Sequence, residues 1–181
     1  MEDKYEFYYE AIDLLGEGEI SQAKKLLKKS LQIDTEFVDG YNGLVAVFED
    51  EKNKKKAKEA SDIAFKLTSE KFVKWPKEML WDDLDNRQYL RAICNKAVYF
   101  HEDKKAKEAE KLYQFLLKLN PNDNQGVRYL LAALFAGKHP KITSELMEKG
   151  NRLQDWSGIE GLLEEQNKKH KFWSGGYGKK S

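Results

Sequence analysis

The chain has little of the residues that most often carry metal, redox or cross-linking chemistry: one cysteine, three histidines and three prolines among 181 residues. A single thiol, Cys94, excludes an intramolecular disulfide and a cysteine-rich zinc site and fits a reducing compartment. The histidines are dispersed, without zinc-ligand spacing, and the glycines near the end follow no strand and open no helix, so no phosphate loop is formed. Neither a metal nor a cofactor is expected. No apolar run approaches the ~20 residues that span a bilayer. The opening Met-Glu-Asp-Lys lacks the basic start and apolar stretch of a secretory signal. One-sided charge is missing too: Lys and Arg total 32 against 31 Asp and Glu, a net charge of +1, so nothing global attracts the chain to nucleic acid or an anionic membrane. These absences point to a cytoplasmic protein.

What is present is amphipathic helix. With 40% hydrophobic and 35% charged side chains, the chain has material for a genuine core. Between its few prolines the periodicity is helical, not alternating. Ala23, Leu26, Leu27, Ser30 and Leu31 share one face, while Lys24, Lys25, Lys28 and Lys29 share the other, which makes that lysine run a solvated surface. The expected class is all-α.

The pattern recurs. From Ala97, steps of three, nine, four, three and five residues reach Phe100, Ala109, Tyr113, Leu116 and Pro121. The same steps from Ala11 reach Leu14, Ala23, Leu27, Ser30 and Thr35, and from Val45 they reach Phe48, Ala57, Ser61, Ala64 and Ser69. From Leu131 they reach Leu134, Thr143, Met147, Gly150 and Asp155, a weaker copy. Ala11 to Val45 and Ala97 to Leu131 are each 34 residues, while Val45 to Ala97 is 52, or 34 plus 18. Small residues let two helices approach closely, an aromatic fills the space between them, and a proline ends the second helix. A period in this range signals stacked helical hairpins.

On these residues, and on Leu119-Asn120-Pro121-Asn122 in particular, the chain resembles the tetratricopeptide repeat family over about residues 4–71 and 90–150. A narrower likeness to prokaryotic members runs through Trp81-Asp82, Asn86-Arg87 and Asp123-Asn124-Gln125-Gly126-Val127-Arg128, with no activity attached. The resemblance implies a right-handed α-solenoid of three to four hairpins, residues 4–37, 38–71, 90–123 and 124–150, forming one domain over 1–169. Departures are Leu14 and Ser61 in place of aromatics and Thr143 in place of alanine, so the fourth pair reads as degenerate. A helix over about 154–169, with Trp156, Ile159, Leu162 and Leu163 at helical spacing, suits a C-terminal cap. Residues 170–181, with Gly175, Gly176 and Gly178, read as a flexible basic tail.

The insertion, 72–89, is too apolar for a solvated linker, with Trp75, Met79, Leu80, Trp81 and Leu84. It is expected to fold back, Pro76 opening a short helix. Asp82, Asp83 and Asp85 suit helix capping better than a hard-cation site, which needs about six oxygens.

The family likeness also implies a concave groove lined by the first helix of each pair: Tyr5, Tyr8, Ile12 and Leu15; Asp39, Asn42, Ala46 and Glu49; Arg91, Cys94, Val98 and His101; Gln125, Arg128, Ala132 and Phe135. Such a mixed strip suits a peptide or a partner helix. Arg87, Arg91 and Arg128 sit beside helix starts that could favour a carboxylate; the competing reading pairs these arginines with nearby Asp side chains. The family's carboxylate clamp for chaperone tails is not reproduced. Tyr8 and Ile12 stand where it has Lys and Asn, Gly43 where it has Asn, and Asn95 where it has Arg. Only Arg91 keeps the charge.

An enzymatic reading fails on spacing. Cys94 and His101 on one helix are separated by ~10.5 Å of rise, whereas a nucleophile and its base need about 3 Å. Lys52, Lys54, Lys55, Lys56 and Lys58 crowd one turn, but Glu49, Asp50, Glu51 and Glu59 surround them, which disfavours nucleic acid. The function expected is a noncatalytic protein-interaction module with a protein or peptide partner, bound through Tyr5, Tyr8, Asn42, Arg87, Arg91, Val98, His101, Gln125, Arg128 and Phe135. A self-assembling structural subunit is the alternative.

Overall fold

The computed structural model describes residues 3–175, and its described residues form nine α-helices and no strands. They are α1 (Lys4–Gly16), α2 (Ile20–Ile33), α3 (Val38–Asp50), α4 (Lys54–Lys71), α5 (Leu84–Glu102), α6 (Ala106–Leu119), α7 (Val127–Phe135), α8 (Lys141–Leu153) and α9 (Ser157–His170). The protein is all-α and built from helical hairpins. Two compact units divide it, one holding the chain through Trp75 with Arg87–Lys96, the other holding Pro76–Asn86 with the chain from Ala97 onward.

In the first unit α1 pairs with α2 and α3 with α4, and the two hairpins stack through α1, α2 and α3. The ladder residues are what they bury. Ala11, Ala23, Leu27, Ser30, Ala57, Ser61 and Ala64 are all fully buried, and Val45 and Phe48 nearly so. Gly43 shows how tight the contact is, since a Cβ there would stand 2.6 Å from Cδ2 of Leu27. Asp62 pairs with Lys96 at 2.5 Å on this unit's surface.

In the second unit Ala97, Ala109, Tyr113 and Leu116 repeat the same buried rungs. α7 packs on α6, α8 and α9. Tyr129, Ala132, Ile159 and Leu163 form a cluster flanked by Leu146, Met147, Leu162, Phe172 and Trp173. Packing therefore extends beyond residue 170, where the tail was expected to begin; Gly176 and Gly178 lie outside the described residues.

The hairpin turns repeat as faithfully as the helices. Each first helix ends on a residue in the left-handed region: Gly18 (φ 82°), Lys52 (56°), Lys104 (60°) and Gly137 (63°). At each turn the next residue's N–H donates back to the helix, Glu19 to Leu14, Asn53 to Phe48, Lys105 to Phe100 and Lys138 to Ala133, at 2.8 to 2.9 Å. This is the Schellman ending, which satisfies carbonyls that the helix leaves open.

The insertion differs from expectation. Residues 72–83 contain no helix, so Pro76 opens none, and α5 already begins at Leu84. The reason is a competing partner, because the Met79 N–H donates to the Leu119 carbonyl at 2.6 Å and the Met79 side chain is buried. Asp83 caps α5, accepting from the Asp85 N–H at 3.1 Å.

Candidate functional site

The ten residues expected to bind a partner divide between the units. Tyr5, Tyr8, Asn42, Arg87 and Arg91 belong to the first, and Val98, His101, Gln125, Arg128 and Phe135 to the second.

In the first unit α1, α3 and α5 contribute a polar row. Asp39 accepts from Arg91 Nη1 at 3.2 Å and from Asn42 Nδ2 at 3.3 Å. The same Asn42 nitrogen reaches the Gln88 carbonyl at 2.9 Å, and its oxygen accepts from Asn95 at 3.3 Å. The Tyr8 hydroxyl donates to Asp39, and burial beside that carboxylate raises the phenol well above its ordinary pKa. Burial also pushes the Asp39 pKa up, against the opposing pull of Arg91, Asn42 and Tyr8. Tyr8 and Asn42 are thus buried members of a satisfied network, not open contacts. Arg91 already has a carboxylate, and Arg87 is half-buried at the start of α5. Open apolar surface lies instead along α1, where Tyr5 is 39% exposed, Tyr9 58% and Ile12 38%. Tyr5 sets its ring edge-on to Phe37 at 5.2 Å, and Tyr9 does so to Tyr8 at 5.4 Å.

In the second unit His101 is buried, contrary to a groove-facing role. Its Nε2 lies 2.8 Å from the Lys138 carbonyl, which can only accept, so that nitrogen carries the hydrogen and Nδ1 accepts from the Tyr113 hydroxyl at 3.4 Å. Burial lowers its pKa. Val98 and Gln125 are half-buried. Arg128 donates to Asp123 Oδ2 at 2.8 Å, while Asp123 caps α7 by accepting from the N–H groups of Val127 (2.6 Å) and Arg128 (3.1 Å). The helix start proposed as an anion site is therefore filled by the chain's own carboxylate. Burial outweighs these bonds and raises the Asp123 pKa; for Arg128, the bonds to Asp123 and Tyr129 outweigh burial and raise it. Arg128 also reaches the Tyr129 hydroxyl at 2.9 Å, and that hydroxyl donates to Glu160 on α9. Its guanidinium lies 5.4 Å from the centre of the Trp173 ring. Phe135 stacks on His170 with ring centres 4.0 Å apart. The fourth first-helix face is covered by the chain's own C-terminal segment.

Among the described residues no cluster of three or more His, Cys, Asp and Glu side chains is placed to hold a metal ion, and no helix is long and apolar enough to cross a membrane. No protein-family model and no curated protein matches the chain. A solved structure titled "Functional Characterization of Pseudomonas aeruginosa PilF" is similar at a TM-score of 0.39 and 18% identity, over 90% of this chain and 76% of that one. At that score the likeness says nothing about activity.

Proposed function

We propose that the chain is a noncatalytic protein-interaction module of the tetratricopeptide type, and that α1 is the element that receives its partner. The observation that carries this reading is the open stripe of Tyr5, Tyr9 and Ile12. Steps of four and three residues put these side chains on one helical face. The polar row beside them, from Tyr8 to Asp39, Asn42 and Arg91, is internally bonded. It supplies a fixed wall instead of open charges. Aromatic anchors on a rigid face suit a partner helix or an extended peptide with apolar side chains at matching intervals. Burial of the ladder at a 34-residue offset, with the same left-handed turn closing each hairpin, supports the family assignment.

The test is affinity capture with the full chain beside a Tyr9→Ser, Ile12→Ser variant, whose changed side chains are already exposed, so that only a modest drop in melting temperature from lost helix propensity and the Tyr9–Tyr8 ring contact is expected. Loss of captured partners with helicity intact is expected. The same partners on both baits would remove α1 from recognition.

A further inference from the structure

A second surface lies within the other unit. An open groove of about 470 Å³ runs between the C-terminal half of α6 and the chain leaving α9. That volume is in the range of small-ligand and side-chain pockets, ~300–1,000 Å³. Leu117, Pro121, Phe172 and Trp173 supply apolar wall, Lys118 and Lys171 supply charge, and no acidic side chain is among the described residues that line it.

The walls are held in advance of any ligand. Asn167 grips the Trp173 backbone from both sides, donating to its carbonyl at 2.6 Å and accepting from its N–H at 2.8 Å. Phe172 rests against Phe135 with ring centres 5.3 Å apart. Lys171, at φ 50°, turns the chain back after α9. Walls fixed in this way lower the ordering cost of binding.

Charge selects the occupant. Both lysines follow or end a helix, where each terminus carries about half a negative charge, so two full positive charges leave an excess. Three of the nearby carbonyls are already engaged: Leu116 by the Asn120 N–H, Leu119 by Met79 and Asn167 by Lys171. On α9 Glu164 and Glu165 are paired with Lys168 and Lys169 at 2.8 and 2.7 Å, and Glu110 accepts from Gln114 on the groove's edge. We propose that this groove binds an acidic peptide segment, its carboxylates on Lys118 and Lys171 and an apolar or aromatic side chain against Pro121 and Trp173. Single-stranded nucleic acid fits less well, because tracking its backbone calls for an extended basic channel with successive stacking rings.

The probe is a fluorescein-labelled peptide, Glu-Glu-Phe-Glu-Glu-Leu, with a twin carrying Gln for every Glu, titrated against the full chain by fluorescence anisotropy. The acidic peptide should bind about tenfold tighter than its twin, as two solvent-facing ion pairs allow. A Lys118→Gln, Lys171→Gln variant should lose about that tenfold, and Lys25→Gln, Lys28→Gln should lose none. Trp173→Leu should weaken both peptides; should it unfold, the glutamine variants still decide. Equal binding of the twin, undiminished binding by the Lys118 and Lys171 variant, or displacement by an equimolar oligothymidylate would each overturn the proposal. So would loss of binding in the Tyr9→Ser, Ile12→Ser variant, which would put the peptide on α1.

Discussion

The Arg91–Asp39 pair offers a test of whether the polar row is structural, because its two halves are unequally buried. The Asp39 side chain is 14% exposed and that of Arg91 35%. Removing the carboxylate with Asp39→Asn leaves a guanidinium that water can reach and keeps a hydrogen-bonding side chain in place. The cost should be about 1–2 kcal/mol, that of weakened hydrogen bonds. Removing the guanidinium with Arg91→Met leaves a buried carboxylate with neutral donors only, Asn42 and Tyr8. A fully buried orphaned charge costs about 3–5 kcal/mol, and the remaining Asn42 and Tyr8 bonds with the partial exposure of Arg91 discount this to about 2–3 kcal/mol at pH 7. The same variant should acquire a pH dependence. Burial already raises the Asp39 pKa in the folded state, and deleting Arg91 removes the positive charge that does most to hold it down. A carboxyl whose folded pKa is raised favours folding fully below its unfolded value, near 3.9, and loses that contribution as pH rises through the folded value. Urea unfolding of both variants at pH 7.5 and 5.0 is the assay, and Arg91→Met should recover part of its deficit at the lower pH. Equal costs for the two variants, or an Arg91→Met deficit that ignores pH, would refute the burial argument.

Other substitutions test the repeat and the second unit. Lys52 and Lys104 are exposed and left-handed, at φ 56° and 60°; glycine at either should raise stability by about 1 kcal/mol, measured by chemical unfolding. Gly43→Ala gains helix propensity but sets its Cβ 2.6 Å from Leu27, a fully buried side chain, so a net loss of about 1 kcal/mol is expected, and a gain would show that the α2–α3 contact yields. His101, with its pKa lowered by burial, contributes stability that is complete above its unfolded value near 6.5 and is lost as pH falls toward the folded one. The melting advantage of wild type over His101→Gln should therefore shrink between pH 7.5 and 5.5, and a constant difference would assign the residue a purely steric role.

The fold was legible where burial follows from side-chain size and spacing. Ala11, Ala23 and Leu27, and again Ala97, Ala109 and Tyr113, were read as one ladder and are buried as one. Gly18 and Gly137 announce the left-handed turns, whereas Lys52 and Lys104 carry no such signal, because a lysine takes that conformation only when both flanking helices are already placed. The helix expected at Pro76 failed for a related reason. The Met79 amide finds the Leu119 carbonyl, forty residues away, a bond that no local pattern encodes. The cap over 154–169 was legible from its apolar spacing, but the covering of Phe135 by His170 and Phe172 was not, since the glycines beyond residue 174 made residues 170–181 look like a flexible tail.

The arginines teach the most about reading such repeats. Asp39 and Arg91 are 52 residues apart, the same separation as Val45 and Ala97, so they occupy equivalent positions in adjacent hairpins. Stacking places equivalent positions side by side, and opposite charges at one rung meet each other before they meet a ligand; in the structure they do so at 3.2 Å. Arg128 is held by a second route, through the capping Asp123 five residues earlier. A charge in a repeat groove is open to a partner only when neither its counterpart in the next repeat nor its own helix cap can neutralise it. By that criterion Arg91 and Arg128 stabilise the fold, while Tyr5, Tyr9 and Ile12 on α1 are left exposed. Their exposure is the physical reason to look for the partner there.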